Sequence, residues 1–231
     1  MNLVLFDIDG TLTHTVSTDE DCFRSAYEEA LGIPNINTDW SVYSHCVDST
    51  ICHEIVQAHL GRSPLDGEIR NLKDCFMKHL RDCARKNPLA FQPIPGIGEV
   101  FSWLRSSKDW AVSIATGGWE CSARLKLELA GIQVDGLPFA SADDGYTRED
   151  ILSIAIARAR ARYRQDGFDR IVSVGDGTWD VIGASRMKLP FIGIAEGPQR
   201  ERLLQQGARD VLPNYRDLNG FICLLKESVV P

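Results

Sequence analysis

Leu3-Val4-Leu5-Phe6-Asp7-Ile8-Asp9-Gly10-Thr11-Leu12 is the stretch from which the architecture follows. Its first four residues form a continuous apolar run, the pattern of a strand buried on both faces in a parallel sheet. Two carboxylates two residues apart end the run, so on an extended backbone both project to the same side. Gly10 then lets the chain turn sharply and approach a ligand. An isolated Asp-Gly pair is an ordinary surface turn. Behind a buried strand and ahead of Thr-Leu, it reads as a site.

Working outward, similar apolar runs recur at Trp110–Thr116, Arg170–Val174 and Pro190–Ala195, with a weaker one at Leu137–Ala140. Helical patterns separate them at Gly98–Ser106, Glu120–Ala130, Arg148–Tyr163, Trp179–Met187 and Gln199–Gln206. Thr147 supplies a hydroxyl cap ahead of early acids at the third of these. Strands alternating with helices predict an α/β fold, a Rossmann-like doubly wound parallel sheet. The alternation fails only between residues 15 and 93, where helix-like patterns at Asp19–Leu31, Asp48–Leu60 and Asp66–Lys86 replace strands. That stretch is far too long for a plain loop. It reads as an all-helical cap inserted after the first strand, leaving residues 1–14 and 94–231 as the core.

Two more strand ends carry polar loops. Ser113-Ile114-Ala115-Thr116-Gly117-Gly118-Trp119-Glu120 runs from a buried strand into a hydroxyl, two glycines and a helix start. Thr116 and the Gly117 and Gly118 amides suit phosphate oxygens near a helix N-terminus, or simply an N-cap beside a turn. Val174-Gly175-Asp176-Gly177-Thr178-Trp179-Asp180 ends another strand, and a helix beginning near Thr178 turns Asp176 and Asp180 toward the strand ends. In a doubly wound sheet, ligands bind beyond the carboxyl ends of the strands. Up to four carboxylates thus gather at one edge. Two unit charges 4 Å apart repel by about 4 kcal/mol at an effective dielectric of 20. Such a set calls for a cation or strongly raised pKa values. Its donors are all hard oxygens, which favours magnesium over zinc or copper.

Composition narrows the function classes. The 231 residues are 44% hydrophobic with a net charge of −7 and a pI near 5.3, and the insert is itself acidic. Nucleic acid as the main partner is disfavoured, because phosphate backbones demand a basic face. Seven cysteines without a C-x-x-C pair resemble neither a zinc site nor a disulfide framework. Asp7 interrupts the N-terminal apolar run too early for a signal segment, and no stretch approaches a membrane span. The expectation is a cytoplasmic protein that engages no membrane and acts as monomer or homodimer, with a small anionic substrate still open because a few local cations or a metal override the global field.

Phe6–Leu12 (FDIDGTL), the strand-end Thr116 and Gly175–Asp180 (GDGTWD) resemble the motifs of the haloacid dehalogenase-like hydrolase superfamily. A helical insert after the first motif looks like the phosphoglycolate phosphatase and phosphomutase branch. The resemblance covers the whole chain. It implies Mg²⁺-dependent phosphoryl transfer beneath a helical cap, with a small phosphorylated metabolite as the substrate. Asp7 matches the nucleophile, which takes up the phosphoryl group as an aspartyl phosphate. Asp9 matches the general acid and base. Thr116, with Gly117, matches the phosphoryl-binding loop. Asp7, the Asp9 backbone carbonyl and Asp176 match the Mg²⁺ ligands, with Asp180 as a further ligand or neighbour.

One departure stands out. Where the family usually carries a lysine ahead of a core helix, this chain has Arg148, which keeps the charge with different geometry. Arg148 reads either as that cation or as a solvated first-turn arginine, ill placed against the helix dipole. Gly117-Gly118 also replaces the side chain that often follows the hydroxyl. By the same resemblance, true dehalogenases lack the second aspartate, and phosphonate-cleaving members carry a small residue there. Asp9 therefore points to phosphate esters. Phosphatase action is expected, with a mutase of the β-phosphoglucomutase kind or a non-catalytic phospho-metabolite-binding protein as alternatives. Trp119 and Trp179 read equally as pocket walls or packing aromatics. Arg62, Arg70, Lys73, Lys78 and Arg81 of the insert offer cations toward a substrate, though most should be solvated.

Overall fold

The computed structural model describes residues 1–231. Six strands form one parallel sheet: β1 (Asn2–Phe6), β2 (Trp110–Ala115), β3 (Phe139–Ala140), β4 (Ile171–Gly175), β5 (Phe191–Ile194) and β6 (Asp210–Leu212). Their spatial order is β3-β2-β1-β4-β5-β6. Chain order therefore reverses between β1 and β4, the crevice where doubly wound sheets bind ligands. Leu5 pairs with Ser113 on one side and Ser173 on the other, which puts the loops after β1, β2 and β4 side by side.

The period of two along β1 divides the core. Leu3 and Leu5 join Ile151, Leu152 and Ala155 of helix α6 (Arg148–Tyr163) on one face. Val4 and Phe6 join Val100 and Phe101 of α4 (Ile97–Ser106), and Phe221 and Leu225 of α9 (Leu218–Glu227), on the other. Helices α5 (Glu120–Leu129), α7 (Thr178–Arg186) and α8 (Gly197–Gln206) complete the alternating core.

Between β1 and α4 lie the helices α1 (Val16–Leu31), α2 (Asp48–Leu60) and α3 (Asp66–Lys86), with no strand among them. The chain leaves and returns side by side. His14 N–H donates to the Gln92 carbonyl at 2.8 Å, and Ile94 N–H to the Leu12 carbonyl at 2.8 Å. Trp119 ties the insert to the sheet. Fully buried, it packs its ring 5.7 Å from Phe23 and 6.3 Å from Phe76, and its indole N–H donates to Ser49 Oγ at 3.1 Å. Of its two sequence readings, Trp119 is thus a packing aromatic; Trp179 lines a cleft. No helix is long and apolar enough to cross a membrane.

Two elements lie outside the sequence expectation. β6 is a three-residue edge strand, half-buried throughout, so it carries no apolar run to betray it. α9 begins at an Asp217 cap and breaks its own apolar stripe with Gly220, which weakens the helical signal.

Candidate active site

The three loops predicted from the sequence meet at the carboxyl edge of β2, β1 and β4, at the end of a cleft of about 1040 Å³. Asp7 leaves β1 on the α6 side of the sheet. There Arg148, the first residue of α6, reaches it with Nη2 3.2 Å from Asp7 Oδ1 and 2.6 Å from Asp180 Oδ1. Arg148 is buried, so the solvated first-turn alternative is excluded. Its Nε and Nη1 have no hydrogen-bond partner in the protein. Nη1 lies where a Cβ on Gly117 would come within 3.0 Å, so this guanidinium edge faces the Thr116–Gly117 loop.

One oxygen each of Asp7, Asp176 and Asp180 lies within 4.8 Å of the others. Asp180 also accepts Gly177 N–H at 3.0 Å, closing the first turn of α7. Gly10 has φ +70°, and a Cβ there would fall 2.0 Å from Asp176 Oδ2. Only a glycine lets the β1 loop and the β4 loop approach this closely. Three carboxylates against one guanidinium leave a surplus of two negative charges. Burial, reinforced by Asp180 and Asp9 and opposed by Arg148, pushes Asp7 up to about 7. Burial together with Asp7 and Asp180 drives Asp176 well above the carboxylate range. Burial also raises Asp180, against the pull of Arg148. Burial opposes the charge on Arg148, yet Asp180 and Asp7 outweigh it and hold the guanidinium above its usual range. A buried all-oxygen site with two uncompensated charges fits a hard divalent cation.

Asp9 stands apart from that cluster. Its Oδ2 accepts Lys126 Nζ at 2.5 Å and its Oδ1 accepts the Thr15 hydroxyl at 2.5 Å. Thr116 is buried and lines the cleft. Its Oγ1 accepts Gly118 N–H at 3.2 Å, so of the two glycine amides that of Gly118 is already engaged. Gly117 has a second duty: a Cβ there would fall 2.4 Å from the Cys46 carbonyl of the insert.

Sequence reasoning missed the residues that the insert and α5 bring to this end. Lys126 is 1% exposed and bonds Asp9 and Asp19; Asp48 accepts Trp119 N–H at 2.9 Å. Burial pushes Asp19 up to about 6, with Lys126 opposing. Burial and Asp19 push Asp48 up to about 8. A lysine at the spacing of Ser122, Ala123 and Leu127, the buried face of α5, was the available signal. The far wall carries Glu20, Asp39, Trp40 and Arg202. Arg62, Arg70, Lys73, Lys78 and Arg81 do not line the cleft, and Arg62, Lys73 and Lys78 instead pair with Glu68, Asp143 and Glu29.

Solved structures share this fold. A hydrolase from Pseudomonas syringae is 20% identical, with TM-score 0.72 over 96% of this chain and 98% of its own. A HAD hydrolase of family IA, variant 3, from Entamoeba histolytica is 16% identical, with TM-score 0.69 over 98% and 100%. A phosphonoacetaldehyde hydrolase-like protein from Oleispira antarctica is 16% identical, with TM-score 0.67 over 99% and 95%. No curated protein matches the chain in sequence. The model of the haloacid dehalogenase-like hydrolases matches residues 1–188, which takes in the loops after β1, β2 and β4. By that match, the chain belongs to the haloacid dehalogenase-like hydrolases.

Proposed function

We propose that this hydrolase is a Mg²⁺-dependent phosphatase that cleaves a small phosphomonoester through an aspartyl phosphate on Asp7. The observation that carries this is the meeting of Asp7, Asp176, Asp180 and Arg148 beside Thr116 at one end of a large cleft. Asp7, Asp176, Asp180 and the Asp9 carbonyl would hold the ion. When bound, it supplies charge neutralisation for the phosphoryl oxygens. Arg148 aims its two unpartnered donors at the same oxygens, and Thr116 and the Gly117 amide orient them. An Asp7 oxygen attacks phosphorus as the ester bond breaks, and Asp9 protonates the departing alkoxide. Asp9 then takes a proton from water, which attacks phosphorus, releasing inorganic phosphate and restoring Asp7. The insert would act as a cap, hinged where residues 12–14 run beside 92–94.

The lining beyond the catalytic end favours hydrolysis over mutase action. A mutase returning a phosphoryl group to a sugar phosphate must hold a second anionic group. Here the lining away from the acidic cluster offers Glu20 and Asp39, with Arg202 as its cation. Neutral, hydroxylated leaving groups suit such a wall. Incubating p-nitrophenyl phosphate and a panel of phosphorylated metabolites with Mg²⁺ tests both points. Phosphate release that needs Mg²⁺ is expected. Isomer without free phosphate would establish the mutase, and no turnover on any ester would establish a binding protein.

Asp9→Asn is expected to slow alkyl phosphates by roughly 10²–10⁴, the usual worth of a positioned proton donor. Activated aryl phosphates should lose less in the phosphorylation step. Equal losses in single-turnover kinetics would remove the acid role.

Asp19, Asp7 and Asp48, at about 6, 7 and 8, bind more protons folded than unfolded. For carboxyls raised in this way stability falls as pH rises through their range. The metal-free protein should therefore lose thermal midpoint between about pH 5 and about pH 8. Mg²⁺ should raise the midpoint more at the upper end, where Asp7 would otherwise be an unneutralised anion. A midpoint that climbs with pH, or a Mg²⁺ effect of constant size, would contradict this charge balance.

A further inference from the structure

Lys126 has no part in the chemistry proposed above, yet its placement is costly. It lies on the buried face of α5, is 1% exposed, and does not line the cleft. An ammonium there survives only with close, well-directed partners. Nζ stands 2.5 Å from Asp9 Oδ2 and 2.6 Å from Asp19 Oδ1. Asp9 belongs to the core loop after β1, whereas Asp19 sits in the first turn of α1, at the start of the insert. Asp48, at the head of α2, comes to the same spot: its Oδ2 and Lys126 Nζ lie 3.8 and 3.9 Å from where a Cβ on Gly118 would stand. One buried cation thus stands where the β1 loop, α5 and two helices of the insert converge. The other oxygen of Asp9 accepts the Thr15 hydroxyl, which is itself 2.6 Å from Thr13 Oγ1 on the outgoing segment of the chain. Both oxygens of Asp9 are therefore fixed, one by Lys126 and one by the connection to the insert.

We infer that Lys126 is a positioning residue, holding the Asp9 carboxylate in place and joining it through Asp19 to the insert, so that the seat of α1 governs where Asp9 points. This rests on the phosphatase function proposed above, in which Asp9 handles the leaving-group proton. A merely structural ion pair could lie anywhere between core and insert. Here, removing the cation frees the one carboxylate whose aim matters to the leaving oxygen.

The test compares wild type, Lys126→Met, Lys126→Arg and Asp19→Asn on a series of alkyl and aryl phosphates with Mg²⁺, with thermal midpoints as a check on folding. Misplacing a catalytic group by about 1 Å costs about 10²-fold. Lys126→Met is expected to lower kcat on alkyl phosphates by about that factor, with a smaller loss on activated aryl phosphates and little change in KM. Lys126→Arg should regain part of the loss, and Asp19→Asn should show the same leaving-group signature more weakly. In an Asp9→Asn background, Lys126→Met should cost little further kcat, because groups that act as a unit are not additive. Equal losses for all leaving groups, or a full multiplicative loss in that background, would overturn the positioning role. If Lys126→Met does not fold, Asp19→Asn decides, and a wild-type leaving-group profile overturns the inference. A wild type that turns over no phosphomonoester refutes the phosphatase function itself and this inference with it.

Discussion

Asp7→Asn is expected to lose turnover by several decades while the folded protein stays as stable as wild type or becomes more so. An amide has no oxygen anion with which to attack phosphorus, and it is a poorer ligand for a hard cation. Loss of a nucleophile typically costs more than about 10³-fold. The fold should not suffer, because Asp7 contributes to it through its backbone: its N–H extends the β1–β4 ladder by donating to the Val174 carbonyl at 3.0 Å. Its side chain, by contrast, is crowded by Asp176 and Asp180. Removing one of three buried like charges relieves repulsion, and Arg148 keeps its shorter bond to Asp180. Activity and thermal midpoint should therefore move apart. The rise in midpoint produced by Mg²⁺ should shrink as well. Purified mutant that keeps more than about a hundredth of wild-type turnover would remove the covalent role from Asp7.

How much of this was legible depends on how local each signal is. β1, β2 and β4 sit in the middle of a sheet covered on both faces, so burial forces nearly unbroken apolar runs. Polar residues placed just past such runs stand out, which is why Asp7, Thr116, Asp176 and Asp180 could be named beforehand. β6 at the sheet edge is spared that pressure and leaves no mark. The buried charges contributed by the insert and α5 were hidden for a different reason. Asp19 and Asp48 each stand at the head of a helix, where an acid is already explained by the helix dipole. Lys126 follows Arg124 and Leu125 in what looks like an ordinary charged helix surface. Only its register with Ser122, Ala123 and Leu127 shows that it points inward, and nothing local shows what it meets there. Contacts between insert and core join residues about a hundred positions apart, such as Lys126 and Asp19, and no periodicity within either segment encodes them.

Arg148→Ala should destabilise the protein more than any other single change to the site, and should slow it as well. The guanidinium is the cation that Asp7 and Asp180 share, and all three groups are buried. Removing one partner of a buried, hydrogen-bonded charge pair costs about 3–5 kcal/mol, because the remaining charge is left uncompensated. A solvated arginine in the first turn of a helix would behave oppositely, its loss being neutral or stabilising by at most about 1 kcal/mol. Rate should fall by roughly 10²–10⁴ as well, the same 3–5 kcal/mol expressed as a ratio. Arg148→Lys returns the charge, and the family pattern places a lysine in this role. A single ammonium cannot bridge Asp180 and Asp7 while keeping two further donors free, so lysine should restore stability more fully than rate. The double variant Arg148→Ala/Asp180→Asn separates the two duties. It removes a stranded carboxylate along with the cation, so the thermal midpoint should recover. It returns no donor to the phosphoryl oxygens, so kcat/KM should stay low. Recovery of both together would mean that Arg148 serves only to neutralise Asp180. Full activity and an unchanged midpoint in Arg148→Ala alone would remove it from the site.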